Sequence, residues 1–170
     1  AQVIWDRAEA QFKAVRFDTA SGNHLVVVLP AKCDGVLGYA GLGSVGADLN
    51  SGGIVTVLEG SVSVLAHEFG HNLGLGHSNL DVGQCGTVSS AEYYGLFGPQ
   101  SAAVADYLPG TLDIAYQWVL GTATSKSLRA LSTADGLTTV NLAPVYAADG
   151  TRGISFVDPV DKANYFDVVV

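Results

Sequence analysis

Eleven consecutive residues constrain this chain more than any others: His67-Glu68-Phe69-Gly70-His71-Asn72-Leu73-Gly74-Leu75-Gly76-His77, an uninterrupted H-E-x-x-H-x-x-G-x-x-H. Positions four apart on a helix share one face, a turn apart, so His67 and His71 can present two imidazoles to one ion. Glu68 projects from the edge of that face. A third ligand on the same helix would point away. Gly74 and Gly76, however, can take backbone conformations of positive φ and turn the chain back, so that His77 closes the site. Three neutral imidazoles leave a fourth tetrahedral position to water, the arrangement of a catalytic zinc rather than a structural one. A helix with satisfied, partly buried histidines is the bland alternative. Against it stand the fixed offsets of Gly74 and His77, and the presence of three of the four histidines within this stretch.

Such a helix needs a core to hold it. With 170 residues, 48% of them hydrophobic and 14% charged, the chain is a folded globular protein with one sizeable core or two small lobes. No apolar run approaches the roughly eighteen residues of a membrane span, and no basic-then-apolar leader precedes a small-residue cleavage site. The chain contains no Met, so Ala1 is not a natural translation start. Removal of a signal peptide or pro-segment, or excision of a domain, is expected, and with it a secreted, extracellular setting.

The net charge of −8 is unevenly placed. Between Cys33 and Ser125 there is no Lys or Arg, while Asp34, Asp48, Glu59, Glu68, Asp81, Glu92, Asp106 and Asp113 all fall there. The flanks cancel, so the negative field surrounds the histidines. It attracts cations and basic peptide segments and disfavours nucleic acid. The same acidity also serves simple solubility. Calcium is compatible with it, although no loop of the calcium-hand type is present. Cys33 and Cys85 match no metal spacing. A single disulfide is the economical reading for a processed protein, worth about 4 kcal/mol for so long a loop, with two free buried thiols as the alternative.

Along the chain, residues 1–17 carry Val3, Ile4, Ala8, Phe12 and Val15 near helical spacing and predict an amphipathic helix. His24–Leu29 is a β-branched run ended by Pro30, a buried strand with His24 in a structural role at its mouth. Residues 35–46 are glycine-dense. They lack the strand, glycine spacing and helix of a phosphate-binding fingerprint and predict a strand at 36–40 followed by a close loop. Ile54–Leu58 reads as a further strand. Residues 61–73 carry the active helix, with Ser61 or Ser63 as N-cap and with Gly70 marking close packing. A second helix is predicted over 112–120, and then short strands at 138–142, 154–157 and 165–170.

The motif from His67 to His77 matches, residue for residue, the long consensus of the metzincin clan of zinc endopeptidases, and the chain resembles most its gametolysin-like (reprolysin-like) bacterial members. The resemblance extends from about His24 to Gly121. It implies an α+β, α/β/α-like fold: a twisted sheet with an N-terminal helix and an active-site helix, a small loop-rich lower lobe with a C-terminal helix, and a short β-rich extension. The implied catalytic domain is 1–121, with an upper lobe 1–77 and a lower lobe 78–121, followed by a β-rich extension over 122–170; the terminal Phe166-Asp167-Val168-Val169-Val170 reads as a strand cut short, so continuation of the natural chain is an expectation. An edge strand pairing with the substrate backbone is expected within Gly46–Val57.

Clan members also place a tight turn containing Met beneath the metal. This chain has no Met, and Phe97, in Tyr94-Gly95-Leu96-Phe97-Gly98, is the substitute the resemblance suggests. Tyr93 or Tyr94 is a packing residue or an oxyanion stabiliser. The implied activity is zinc-dependent endoproteolysis of extended polypeptides by a monomer, with Glu68 as general base, one zinc on His67, His71 and His77, and no nucleic-acid or membrane partner. Two other readings compete. A catalytically silent zinc-binding module is favoured by the missing Met and disfavoured by the intact Glu68. A zinc staple would require a fourth protein ligand in place of water.

Overall fold

The structure is a computed structural model that describes residues 1–15, 17–33, 38–79, 93, 98–101, 111–157 and 164–167. It divides into two units, Ala1–Gly110 and Thr111–Val170.

The first unit is built on β3, Gly53–Leu58, whose six residues are all buried. A run of Ile, Val, Thr and Leu suits this position because both faces of the strand are covered. β1, His24–Leu29, lies parallel to β3, with His24 opposite Gly53 and Leu29 opposite Leu58. On the other side β2, Gly41–Gly43, runs antiparallel, with Gly43 opposite Val55. Among the described residues the order β1-β3-β2 leaves β2 at an edge. Helix α1, Gln2–Phe12, sends the Trp5 indole N–H to the Thr56 hydroxyl at 2.7 Å. The helix expected over 1–17 ends at Phe12, and Lys13–Val15 form a tighter 3-10 turn.

Helix α2, Val62–Asn72, packs against β3 and β2. On β2 the closeness of approach depends on glycine. A Cβ at Gly43 would stand 2.5 Å from the Glu68 carbonyl oxygen, and one at Gly41 would stand 2.8 Å from Glu68 Cγ. The strand therefore begins at Gly41, while residues 38–40 form bends and 34–37 lie outside the described residues. Two expectations are corrected by this arrangement. The described strand is Gly41–Gly43, with residues 38–40 of the expected 36–40 strand forming bends, and among the described residues the sheet edge beside α2 is β2 rather than Gly46–Val57, whose strand portion lies at the centre of the sheet. We predict that Gly43→Ala forces α2 to move and destabilises the fold by about 1–3 kcal/mol. Thermal unfolding checks this, and a variant as stable as the parent would contradict the close packing.

In the second unit, helix α3, Ile114–Val119, is capped by Asp113, whose Oδ1 accepts from the Tyr116 N–H at 2.9 Å. Ile114 is fully buried and forms a small core with Ala123 and Leu128. β4, Leu128–Leu131, pairs parallel with β5, Gly153–Val157, and β5 pairs antiparallel with β6, Asn164–Asp167. The Arg152 guanidinium ties this unit together, donating to Gln117 Oε1 at 3.0 Å and to Ser127 Oγ at 2.7 Å. β4 was not expected from the sequence. Conversely, residues 138–142 take part in no ladder, and Thr138 turns its hydroxyl to the Asp135 carbonyl instead.

Burial raises the Asp113 pKa, while the Tyr116 and Ala115 N–H groups pull it partly back. A carboxyl whose folded pKa is raised contributes most below its unfolded value of about 3.9, and that contribution is lost as pH rises through the folded value. Asp113→Asn keeps an acceptor for the cap and carries no charge. It is expected to match the parent at about pH 4 and to equal or exceed it at neutral pH, whereas Asp113→Ala costs about 1 kcal/mol through the lost cap. Thermal midpoints of the three proteins across pH provide the check. A parent more stable than Asp113→Asn at neutral pH, with the gap closing in acid, would contradict it.

Candidate metal centre

α2 starts after Ser61, which occupies the N-cap position without a side-chain cap bond. Its buried residues Ser63, His67, Glu68, Gly70 and Asn72 set the face turned inward. At Gly70 the absence of a side chain admits the Gln100 amide, which donates to the His67 carbonyl at 2.7 Å. Close packing at Gly70 is thus realised. The helix ends at Leu73, and Gly74 takes a φ of 84°. The Gly74 N–H bonds the His71 carbonyl and the Leu75 N–H bonds the Gly70 carbonyl, both at 3.0 Å. This is a Schellman motif, which satisfies orphan carbonyls and redirects the chain. Gly74 alone supplies the left-handed turn, since Gly76 has no positive φ.

The redirected chain brings His77 back to the helix. His67 Nε2 lies 3.1 Å from His71 Nε2, and His71 Nε2 lies 3.1 Å from His77 Nε2. Three ligands at about 2.05 Å in tetrahedral array about zinc would stand about 3.3 Å apart; the two 3.1 Å pairs match that spacing, and all three ligand atoms lie within 4.8 Å of one another. Among the described residues this is the one grouping of three or more His, Cys, Asp or Glu side chains able to share an ion.

The ring partners show what the cluster requires. His67 Nδ1 lies 2.8 Å from the Pro99 carbonyl, and His71 Nδ1 lies 2.8 Å from the Leu75 carbonyl. A carbonyl only accepts, so each Nδ1 carries the proton and each neutral ring turns a bare Nε2 lone pair into the cluster. Two bare lone pairs at 3.1 Å repel unless a cation lies between them. Burial disfavours a second proton on His67 and lowers its pKa, an effect opposed by the Pro99 carbonyl and reinforced by His71 and His77. The donor set therefore suits a metal ion better than a proton.

Glu68, 8% exposed, follows His67 directly. Burial raises its pKa, while His71 and the Gly43 N–H, which donates to the carboxylate, lower it. The carboxylate is thus held beneath the edge strand, within electrostatic reach of the cluster.

The remaining sequence candidates fall into three groups. His24 stands apart from the cluster, as expected: its Nδ1 lies 3.1 Å from Asn72 Oδ1 and its ring packs on Phe69 at 4.6 Å between centroids. Phe97 and Cys85 lie outside the described residues, and Cys33 carries a free, half-buried thiol. Two residues were missed or left open. Asn72 is fully buried, and its amide donates to the Ser44 carbonyl at 2.6 Å. Its position between His71 and His77 is the only signal the sequence offers. Tyr93 packs its ring on His77 at 3.9 Å and lies 5.7 Å from the ring of His67.

Residues 3–78 match the model of metallo-peptidase family M12B, reprolysin-like, a stretch that ends just past His77. No curated protein and no solved structure compared with the chain matches it.

Proposed function

From the premise that the family match and the three-histidine cluster fit a metzincin-type zinc metalloprotease, we propose that the chain hydrolyses peptide bonds within extended polypeptides, with His67, His71 and His77 holding one zinc ion and Glu68 acting as general base. One observation carries the reading. Two imidazoles committed to backbone carbonyls through Nδ1 face each other through bare Nε2 atoms at 3.1 Å, which calls for a cation between them.

When bound, zinc lowers the pKa of a coordinated water toward about 7 and polarises the scissile carbonyl. The chain's own groups supply the rest. Glu68, made more basic by burial, accepts a proton from the attacking water. As the water oxygen bonds to the carbonyl carbon and the C–N bond breaks, Glu68 passes that proton to the leaving amine. The Gly43 N–H steadies the carboxylate throughout. The outer edge of β2 faces away from β3 and offers backbone groups to an extended peptide, in the manner of strand addition.

Incubation of the zinc-loaded protein with casein tests the proposal. Mass spectrometry of the products is expected to show internal cuts, which a zinc chelator abolishes and added zinc restores. Absence of cleavage, or removal of terminal residues only, would contradict endoproteolysis.

A further inference from the structure

We propose that Tyr93 is a positioning residue for the metal centre, an aromatic wall that fixes the His77 imidazole and braces that of His67. The inference rests on the zinc reading above and goes beyond it in assigning a role to a residue outside the ligand set.

The three ligands stand on different kinds of backbone. His67 and His71 stand on a helix, and their rings are oriented by Nδ1 bonds to the Pro99 and Leu75 carbonyls at 2.8 Å. His77 stands on the irregular segment beyond Gly74, where the backbone restrains a side chain less than a helix does. A ligand imidazole must keep its plane within a narrow range for the in-plane lone pair to aim at the ion. Rotation of the His77 ring would lift Nε2 out of the cluster.

Tyr93 opposes that rotation. Its ring centroid lies 3.9 Å from that of His77, at an interplanar angle of 33°. The same ring lies 5.7 Å from His67, at 29°, and the His67 and His77 rings are themselves stacked at 5.0 Å. The three rings thus form one mutually packed cluster, with Tyr93 closest to His77, and turning His77 would require Tyr93 to move.

Two further features hold Tyr93 in place. Its backbone N–H donates to Asn79 Oδ1 at 3.2 Å, which ties it to the segment carrying His77. Its φ of 65° makes it the one non-glycine residue of positive φ among those described. A bulky residue in that region is strained and persists where its surroundings demand it. The demand here is the placing of a ring against two ligands. Phe97, which the resemblance suggests for a floor under the metal, lies outside the described residues; the ring described against the histidines is that of Tyr93.

The test is zinc affinity of the full chain by competition with a chromophoric chelator, together with the visible spectrum of the cobalt-substituted protein. Parent and His71→Ala are measured first. Tight binding lost in His71→Ala upholds the zinc reading independently of Tyr93, and absence of zinc binding by the parent would overturn both. Tyr93→Phe keeps the ring and is expected to bind within about threefold of the parent with an unchanged cobalt spectrum, whereas Tyr93→Leu fills the space without an aromatic face and is expected to bind about 10–100-fold more weakly with a shifted spectrum. Should Tyr93→Leu fail to fold, zinc titration of the parent decides. A tyrosine near-ultraviolet perturbation present in the parent and absent in Tyr93→Phe supports the contact. Parental affinity in Tyr93→Leu, a Tyr93→Phe as weak as the leucine variant, or a perturbation identical in parent and Tyr93→Phe would overturn the proposal.

Discussion

Glu68→Gln is expected to retain zinc at close to parental affinity while its rate of casein cleavage falls by about 10²–10⁴-fold. The amide has nearly the volume of the carboxylate, which matters at a site only 8% exposed. Its oxygen can still accept from the Gly43 N–H that holds the native carboxylate. What it cannot do is take a proton from water and return it to an amine. Zinc content, chelator competition and initial rates, measured on one preparation, separate these effects. Cleavage at the parental rate would remove Glu68 from the mechanism. Loss of zinc in this variant would instead show that Glu68 serves the metal site's structure.

His71→Ala carries the second large effect. His71 is the middle member of the cluster, with its Nε2 3.1 Å from both His67 Nε2 and His77 Nε2. Its removal leaves two imidazoles with no third donor between them and deprives the Leu75 carbonyl of a partner at the helix end. Bound zinc is expected to fall from one per chain toward zero, and casein cleavage to background. Zinc should also cease to protect the fold. In the parent, a zinc concentration one hundred times the dissociation constant adds about 2.7 kcal/mol to stability, a gain absent from the variant. Thermal unfolding with and without zinc makes the comparison, and a variant still protected as the parent is would contradict the ligand assignment.

The helix and its histidines were legible because their spacing is a local property. His67 and His71 follow helical periodicity, and Gly74 provides the positive φ that returns His77. β1 and β3 were legible for a similar reason, as β-branched runs bounded by Pro30 and by the turn that ends at Gly52. β2 was misplaced because strand propensity is carried by side chains, and Gly41 and Gly43 have none. They form a strand because only they can lie so close to α2.

In the second unit, residues 138–142 have the composition of a strand, yet pairing depends on a neighbour that no local pattern reveals. β4 escaped notice because two of its four residues, Arg129 and Ala130, are exposed and give no clear alternation. The finer parts of the site were illegible for a related reason. The carbonyls that set the imidazole tautomers belong to Leu75 and to distant Pro99, Asn72 reaches Ser44 and His24, and the Tyr93 ring reaches His77 across an intervening segment. Such partnerships exist only in the folded chain.

The central claim is an open zinc centre of three imidazoles. X-ray absorption at the zinc edge of the loaded protein addresses it most directly. Three imidazole nitrogens and one oxygen from water, with the oxygen replaced when a small zinc-binding inhibitor is added, is the predicted result. A fourth protein ligand, sulfur from Cys33 or Cys85 included, would contradict it by closing the position that hydrolysis requires.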